Sequence, residues 1–495
     1  MAMDFLDPKK KRAHQIRLYI GYALMAFALI IGSAVLFFEA RGFDINRKTG
    51  EVIQNGLVFA NAHPESADVY VNGKREGQTD LRLAIPAGDY TFEFVRSGYR
   101  TWKRTFALGG SEIERLNYAF LFPEKLEPAE VRPYASAPAF ATQSPDRQWL
   151  IVQQIGKLAA FDVVSLGQTN NPVTPITLPA NLVNTTAGSD AWELVEWSTD
   201  NRHVLIRHTF KGGSEFVMLD RERPAESLNL NKHFTMTLYK AALRDKKFDK
   251  LHLLDKNGGT LRFGDSKSKQ LSVVASKVSA FKSYGDEVVF YVGSEGAKKG
   301  TVHVNIRKGR DTFKVRDLPA GKQYSLDITR YDDEWFMAVG TDTDKRAYVY
   351  HEVFGDLEQD NPKVPAPIAV FRMQQPLDAI SVSANTRFIS IQSGSEFGVY
   401  DAEHDRRYQY DTKLKLAASQ KAEWMDGHRL AVVTKGTVNV WDYDGINIQS
   451  LVAAHPAFVP FFDRDYDNLY TLSPSANAKG KTSLLKTPMR IPSDL

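Results

Sequence analysis

The chain has 495 residues, 43% of them hydrophobic, with 63 Lys and Arg against 59 Asp and Glu and with no cysteine. Its length exceeds that of one ordinary domain, so two or three folded units are expected. The lack of cysteine excludes a disulfide framework and thiol chemistry, so stability must come from large hydrophobic cores.

The net charge of +4 is concentrated near the N-terminus. Residues 1–38 contain five Lys and Arg and two Asp, which leaves 58 basic and 57 acidic residues in the rest of the chain. A nearly neutral remainder does not offer the basic surface that binds a phosphate backbone. No nucleic-acid partner is therefore expected.

Residues 18–38 form an apolar segment without a charged side chain. As a helix the segment is roughly 31 Å long, enough to cross a hydrocarbon core of about 30 Å. Five basic residues precede it: Lys9, Lys10, Lys11, Arg12 and Arg17. Because basic residues stay on the cytoplasmic side, residues 1–17 are predicted to be a cytoplasmic tail and residues 18–38 a transmembrane helix. The bulk of the chain would then be extracytoplasmic.

A cleavable signal peptide and a buried helix of a soluble protein are the alternatives for this segment. The segment is longer than the roughly 7–15 apolar residues of a signal peptide. Residues 38–41 also lack the small-residue pattern of a cleavage site. The sequence therefore favours an uncleaved, single-pass anchor in the cell membrane.

Four segments beyond the apolar helix alternate apolar and polar residues: 67–74, 81–85, 90–95 and 102–108. The first segment includes Asn72-Gly73, a strong hairpin signal, and a turn-forming composition follows the second. Alternation with a period of two in successive segments predicts a small antiparallel β-sandwich with one face of each sheet buried.

Five motifs in this region resemble those of the PEGA domain in order and spacing. They are Val69-Tyr70-Val71-Asn72-Gly73-Lys74, Gly77-Gln78-Thr79, Ile85-Pro86-Ala87-Gly88-Asp89-Tyr90, Gly98-Tyr99 and Trp102-Lys103. The resemblance covers residues 56–122, and we assign residues 39–122 to this domain. It implies a module of envelope and surface-layer proteins that carries no catalytic residues.

Five residues of these motifs are interpreted as structural: Gly73, Pro86, Gly88, Gly98 and Tyr99. The glycines and the proline are expected to form turns. Tyr99 and Trp102 are predicted to be core aromatics, and a ligand platform is the alternative.

Residues 123–140 contain four prolines and are predicted to be an extended, fairly stiff linker. The remaining residues, 141–495, repeat one unit: a polar turn, an apolar strand, a hairpin and a second apolar strand. This is the pattern of a four-stranded propeller blade, and a single blade buries its two faces only by stacking against others.

We count eight copies of the unit, at residues 144–162, 197–220, 250–263, 287–305, 331–350, 383–401, 424–442 and 458–485. An eight-bladed propeller is favoured, and seven blades are the alternative because loose repeats are easily split or merged. The copies resemble WD40-like and TolB-type propellers only in this general pattern, since Trp441-Asp442 is the sole Trp-Asp ending.

The sequence contains no readable catalytic, cofactor-binding or metal-binding motif. We therefore assign no catalytic, cofactor-binding or metal-ligating residue. Residues 475–482 end like a phosphate-binding loop but lack its first glycine, and residues 463–474 lack the glycine and glutamate of a calcium loop. His203 and His428 occupy the same place in their repeats, just before an apolar strand, and are predicted to have structural turn roles.

The sequence thus predicts a mostly β protein with one transmembrane helix, a PEGA-like sandwich and a propeller. Its predicted function is that of a non-enzymatic, extracytoplasmic binding or scaffold protein of the cell envelope. The membrane is one partner, and the propeller face would engage a protein or a cell-wall polymer. The alternatives are a propeller hydrolase acting on wall glycan or peptide, and a TolB-like envelope assembly or export factor.

Overall fold

The computed structural model describes residues 8–40, 43–45, 52–185, 190–359, 363–417, 420–475 and 480–494. The chain divides into two compact units. The first comprises Met1–Lys125 together with Ile491–Leu495, and the second comprises Leu126–Arg490.

The first unit begins with the helix α1 (Pro8–Ala40), which contains the predicted membrane segment. Within the described residues, α1 is the one helix that is long and apolar enough to cross a membrane, over His14–Phe38. All side chains in that stretch are exposed. Such a helix is typical of a membrane anchor or of a signal sequence.

The rest of the first unit is a sandwich of two four-stranded sheets. Its strands are β1 (Phe43–Ile45), β2 (Val52–His63), β3 (Asp68–Val71), β4 (Lys74–Gln78), β5 (Leu81–Pro86), β6 (Gly88–Val95), β7 (Trp102–Leu108) and β8 (Ile113–Phe120). In one sheet β2 pairs with β1, β5 and β8, and the other sheet has the order β4-β3-β6-β7. The predicted sandwich is confirmed.

The sandwich core follows from the alternation in the sequence. Phe92 and Phe94 on β6 and Trp102 on β7 point inward and are at most 2% exposed. One pairing differs from the expected antiparallel arrangement, because β2 and β8 are parallel. No hairpin joins these two strands, so the chain has no need to reverse direction between them.

The second unit contains eight four-stranded sheets within its described residues, which we number as blades 1 to 8. Blade 1 comprises β10 (Ala141–Gln143), β11 (Trp149–Gln153), β12 (Ala160–Ser165) and β13 (Val173–Thr177); blade 2 comprises β14 (Ala191–Trp197), β15 (His203–Phe210), β16 (Gly213–Asp220) and β17 (Leu228–Asn229); blade 3 comprises β18 (Leu238–Arg244), β19 (Lys247–Asp255), β20 (Leu261–Asp265) and β21 (Leu271–Ala275); blade 4 comprises β22 (Val278–Tyr284), β23 (Val288–Gly293), β24 (Thr301–Lys308) and β25 (Asp311–Pro319).

The later blades have the same antiparallel order. Blade 5 comprises β26 (Tyr324–Tyr331), β27 (Glu334–Thr341), β28 (Arg346–His351) and β29 (Ala369–Arg372); blade 6 comprises β30 (Ala379–Val382), β31 (Phe388–Ser393), β32 (Glu396–Asp401) and β33 (Arg406–Asp411); blade 7 comprises β34 (Glu423–Trp424), β35 (Arg429–Thr434), β36 (Thr437–Asp442) and β37 (Gln449–Ala453); blade 8 comprises β38 (Phe461–Phe462), β39 (Asn468–Pro474), β40 (Thr482–Pro488) and β9 (Ala129–Tyr134). The short helices α2 (Leu230–Phe234) and α3 (Val353–Leu357) lie in connections between strands.

The eight repeats found in the sequence correspond to the middle strands of the eight blades. In β31 and β35 every residue is buried, because each blade is covered on both faces by its neighbours. Strands buried on both faces read as continuous apolar runs rather than as alternating ones. The predicted propeller is confirmed, with eight blades.

The unit boundaries differ from those expected in two places. The presumed linker 123–140 contains β9, which pairs with β40 and completes blade 8. Residues 491–494, expected to end the propeller, belong to the first unit, where Asp494 contacts Arg96. Closing the last blade with a strand from before the first blade joins the two ends of the propeller ring.

Candidate functional site

The first strand of each blade lies at the inner edge of its sheet. β14 and β18 are neighbours, as are β22 and β26, and β26 and β30, although each of these strands belongs to a different blade. Blades 1 to 7 also have their first strand at one end of the strand order. In a propeller this edge surrounds the central channel, so residues on the first strands converge on one axis.

Charged side chains of both signs converge on this channel from five blades. The axial charge cluster comprises Glu196, Lys240, Lys282, Asp327, Lys421 and Glu423. Glu196 accepts a hydrogen bond from the backbone N–H of Leu243 in the next blade. The cluster holds three basic and three acidic residues, so it offers ionic partners of either sign.

Other contacts also run from one blade to the next. Lys282 Nζ in blade 4 lies 3.4 Å from Asp327 Oδ1 in blade 5. Lys240 Nζ in blade 3 donates a hydrogen bond of 2.9 Å to the carbonyl oxygen of Phe281 and lies 4.8 Å from the centroid of that ring. The lysine charge is thus held by a carbonyl and an aromatic face rather than by a carboxylate.

The charges of the cluster act on one another. Burial lowers the pKa of Lys240 to about 8, and the positive charges of Lys282 and Lys421 act in the same direction. The Asp327 carboxylate raises the pKa of Lys282 against the effect of burial. Burial raises the pKa of Glu423, while Lys421 and Lys282 oppose that change. The charge of Lys282 in blade 4 therefore contributes to the pKa of Glu423 in blade 7.

Water reaches this cluster even though blades surround it. The side chain of Lys282 is 46% exposed, and that of Asp327 is 11% exposed. The surrounding blades exclude bulk water on every side of the cluster. This desolvation explains why groups that water still reaches have shifted pKa values. Ionisable groups with shifted pKa values that share a solvent-accessible channel are typical of a binding or catalytic site.

A small cavity of about 180 Å³ adjoins the cluster between blades 1, 7 and 8. Gln143, Arg147, Glu423, Trp424 and Phe462 are among its lining residues. The Glu423 carboxylate has no hydrogen-bond partner among the described residues, and Arg147 donates to the carbonyl oxygen of Met425. The cavity therefore presents an available acid beside aromatic side chains.

The predicted PEGA motif residues lie in the first unit. Gly73 has a φ of +80° in the turn between β3 and β4, and Gly98 has a φ of +81° just before Tyr99. Tyr99 is 3% exposed and so belongs to the core, as does Trp102. A positive φ at both glycines is the conformation that a side chain disfavours.

Pro86 and Gly88 flank the single residue between β5 and β6. The carbonyl oxygen of Pro86 accepts a hydrogen bond of 2.8 Å from the Tyr90 hydroxyl. A Cβ at Gly88 would meet the Tyr90 ring at 3.7 Å, an ordinary contact. The role of Gly88 as a turn residue stays a prediction.

The basic residues predicted to set the topology, Lys9, Lys10, Lys11, Arg12 and Arg17, all lie within α1. Arg12 and Arg17 are exposed. They belong to the first unit, and the axial charge cluster belongs to the second.

The two repeat histidines lie beside turns at the starts of middle strands. His203 Nδ1 lies 2.6 Å from Asp200 Oδ2, and its ring stacks on Phe248 at 3.9 Å. The backbone N–H of His428 donates to Asp426 at 2.7 Å. Both arrangements fit the predicted turn roles.

Of the two rejected motifs, one forms a turn in the structure. In the calcium-like segment the Asp463 carboxylate accepts from Asn468, which closes a turn between β38 and β39. The described residues contain no group of three His, Cys, Asp or Glu able to hold a metal ion. Residues 476–479 of the phosphate-loop-like segment lie outside the described residues.

Sequence reasoning missed the axial charge cluster. Five of its members lie on the inner strands of five blades, Lys421 lies just before one of these strands, and the six share no local spacing. The available signal was a charged residue on the strand preceding five of the eight apolar repeats, and that signal is also typical of an exposed edge strand.

Comparison with known proteins identifies the small domain. Residues 56–120 match the family model of the PEGA domain, which confirms the resemblance carried by the motifs. No curated protein matches the chain.

Solved propeller structures are similar to the chain at low identity. The β-propeller domain of Cps50 (Swd1) from Myceliophteria thermophila has a TM-score of 0.41 and 11% identity, covering 66% of this chain and all of that one (100%). The Dos1 propeller has a TM-score of 0.45 and 15% identity over 73% and 95% of the two chains. An oligogalacturonate lyase from Vibrio parahaemolyticus has a TM-score of 0.37 and 10% identity over 71% and 96%. The propeller assignment therefore depends on the eight sheets themselves.

Proposed function

We propose that this chain, with its PEGA domain and eight-bladed propeller, is a membrane-anchored binding protein of the cell envelope. The observation that carries the proposal is helix α1, whose residues His14–Phe38 are apolar and exposed along their whole length. An apolar helix whose side chains are exposed is stable in lipid, where its backbone hydrogen bonds are satisfied internally.

The basic residues before the membrane segment set the orientation in this proposal. Five of them precede residue 18, and positive charge is retained on the cytoplasmic side. The PEGA domain and the propeller then lie outside the cytoplasm, in the compartment that the PEGA resemblance implies. The anchor keeps both units close to the membrane surface.

The propeller channel supplies the binding surface. Its cluster has equal numbers of basic and acidic residues, so a partner segment with charges of both signs would be complementary to it. A polyanionic wall polymer would find no excess of positive charge there, because the three lysines of the cluster are matched by Glu196, Asp327 and Glu423. We therefore assign a protein segment as the partner at the axial channel.

Protease treatment of intact cells tests the topology. The full chain, carrying an epitope at its C-terminus, should lose that epitope when protease is added outside, while a cytoplasmic marker protein stays intact. A variant with all five basic residues reversed to glutamate should protect part of the epitope. An epitope that survives until the membrane is broken contradicts the proposal.

Photo-crosslinking in intact cells tests the partner. A photoreactive residue at position 423 should give a protein adduct, and the same residue at the exposed position 299 in the β23–β24 turn should not. An adduct at both positions, or at neither, contradicts a partner at the axial channel. An adduct with wall polymer at position 423 contradicts the choice of a protein.

A hydrolase is the second candidate, and Glu423 is the observation that favours it. A carboxyl group with a raised pKa beside a small cavity is suited to general acid catalysis. A glycosidase would need a second carboxyl group about 5–10 Å away. Release of sugar or peptide from purified envelope that disappears in E423Q would favour this candidate over the binding protein.

A further inference from the structure

A second cavity lies between blades 2 and 3, away from the axial cluster. Its volume is about 490 Å³, within the range of roughly 300–1,000 Å³ of small-molecule sites. We call it the blade 2–3 cleft, and it is lined by Asn184, Phe210, Gly212, Gly213, Ser214, Glu215, Asn231, Lys232, Thr235, Met236, Thr237, Leu238 and Lys256. Most of these residues carry a hydroxyl, amide or ammonium group, and one carries an aromatic ring.

Several polar groups of the cleft are available to bind a ligand. The hydroxyls of Thr235 and Thr237 and the ammonium group of Lys256 have no hydrogen-bond or ionic partner among the described residues. Lys232, in contrast, donates to the carbonyl oxygens of Asn181 and Leu182 at 2.9 and 3.0 Å. The cleft thus offers neutral hydrogen-bonding groups and one free positive charge at its rim.

The ring of Phe210 supplies an apolar patch in the same cleft. It lies over Gly213, where an added Cβ would approach the ring to 3.2 Å. The absence of a side chain at Gly213 therefore allows the ring to lie against the hairpin backbone. The centroid of the His208 ring lies 5.5 Å from the centroid of the Phe210 ring.

A buried charged network forms the wall beneath the cleft. His208 is 0% and Glu215 is 2% exposed. His208 Nδ1 lies 2.9 Å from Glu215 Oε1, and its Nε2 lies 3.1 Å from Asp190 Oδ1. Side-chain amides of Asn184 and Asn229 donate to Glu215 Oε2 at 2.7 and 2.8 Å. Fully bonded networks of this kind hold side chains in fixed positions.

The same network occupies both carboxylate oxygens of Glu215. Each oxygen accepts hydrogen bonds, one of them from the backbone N–H of Asn184 at 2.7 Å. These bonds stabilise the carboxylate and hold it in the wall without cancelling its charge. The cleft combines a pre-formed polar wall, an aromatic face and, in Lys256, an ammonium group that is available to pair with an anion.

We propose that the blade 2–3 cleft binds an acidic oligosaccharide. A sugar ring has an apolar C–H face that packs on an aromatic ring, and hydroxyls that pair with threonine and asparagine side chains. A carboxylate on the sugar would pair with Lys256. This site lies on a different part of the propeller from the axial channel, and its occupancy does not depend on the topology proposed above.

Calorimetry on the full chain in detergent tests the proposal. The probes are tetraglucuronate, the neutral tetrasaccharide cellotetraose and the non-sugar polyanion tetraglutamate. Tetraglucuronate should bind best. K256Q should weaken its binding by about tenfold or more, the value of one charge-assisted hydrogen bond. K299Q, a matched change in the exposed β23–β24 turn, should have no effect.

A second variant tests whether binding depends on hydrogen bonds to the sugar hydroxyls. T237V keeps the volume of the side chain and the charge of the cleft, and it should weaken both saccharides but not tetraglutamate. Equal binding of tetraglucuronate and tetraglutamate would overturn the assignment to a saccharide. Equal binding of cellotetraose and tetraglucuronate, or no binding of either, would overturn the assignment to an acidic oligosaccharide.

Discussion

Arg387 and Asp401 form a two-point ion pair at the end of the β31–β32 hairpin, with Nε–Oδ1 at 2.8 Å and Nη2–Oδ2 at 2.7 Å. Arg387 is 7% exposed and Asp401 is 0% exposed. Arg202 and Asp220 form the equivalent pair in blade 2. The same ion pair therefore recurs in the propeller repeat. It joins an arginine at the start of one middle strand to an aspartate at the end of the next.

Breaking this pair from one side should destabilise the propeller. R387Q leaves the Asp401 carboxylate buried without its charged partner, which should cost about 3–5 kcal/mol of unfolding free energy. Urea unfolding of the full chain measures the change. K413A removes the exposed pair between Lys413 and Asp411 and should cost less than about 1 kcal/mol. Equal losses in both variants would contradict the role of burial.

The sequence predicted much of the fold because strand patterns repeat locally. Alternation predicted the sandwich strands, and apolar runs followed by aspartate predicted the middle strands of the blades. β9 was missed because Pro133 is typical of a linker. Pro133 lies on β9, the outermost strand of blade 8, opposite Ser483 of β40, and a missing N–H is tolerated on an edge strand.

The candidate sites could not be predicted in the same way. Lys240 and Glu423 come from blades 3 and 7, and only closure of the ring brings them into one channel. The contact of Asp494 with Tyr99 likewise joins residues almost the whole chain apart. No local spacing indicates contacts of this kind, since they depend on the complete fold.

Acid should destabilise the propeller through His252. This β19 residue is 1% exposed, and neither ring nitrogen has a hydrogen-bond partner among the described residues. Burial, with a smaller effect of the Arg244 charge, lowers its pKa to about 3. Between pH 6.5 and 3 the unfolded chain binds a proton that the folded chain does not.

This proton uptake should cost about 1.4 kcal/mol of stability for each pH unit below the ordinary histidine pKa. H252L removes the titrating group and should lose less stability between pH 7.5 and pH 5 than the unaltered protein. Urea unfolding at the two pH values measures both losses. Identical losses would show that another group is responsible.

The C-terminal residues should stabilise the first unit. Asp494 lies 2.5 Å from Arg96 Nη2 and accepts a hydrogen bond of 2.5 Å from the Tyr99 hydroxyl. D494A should cost about 1.5–3 kcal/mol, the value of a charge-assisted hydrogen bond. It should also speed amide hydrogen exchange at Tyr99. E124Q, an exposed carboxylate change in the same unit, should leave the exchange unchanged.

The pKa of Lys240 should respond to Lys282. K282Q removes a positive charge that lowers the pKa of Lys240, and it also releases Asp327 from its pair. Both changes favour the charged amine, so the pKa of Lys240 should rise above about 8. Amine-specific labelling followed from pH 7 to pH 10 measures the midpoint. A midpoint that stays in place in K282Q would contradict a shared channel.

Membrane retention should depend on the apolar character of α1 and not on the total charge of the chain. L24R/L29R puts two arginines into the membrane segment, each costing about 2.5–3.5 kcal/mol near the helix centre. This variant should appear in the soluble fraction after a carbonate wash. L271R/V273R adds the same charge at two exposed positions of the propeller strand β21 and should stay in the membrane. Because the two variants are matched in charge, retention of both would show that another part of the chain holds the protein at the membrane.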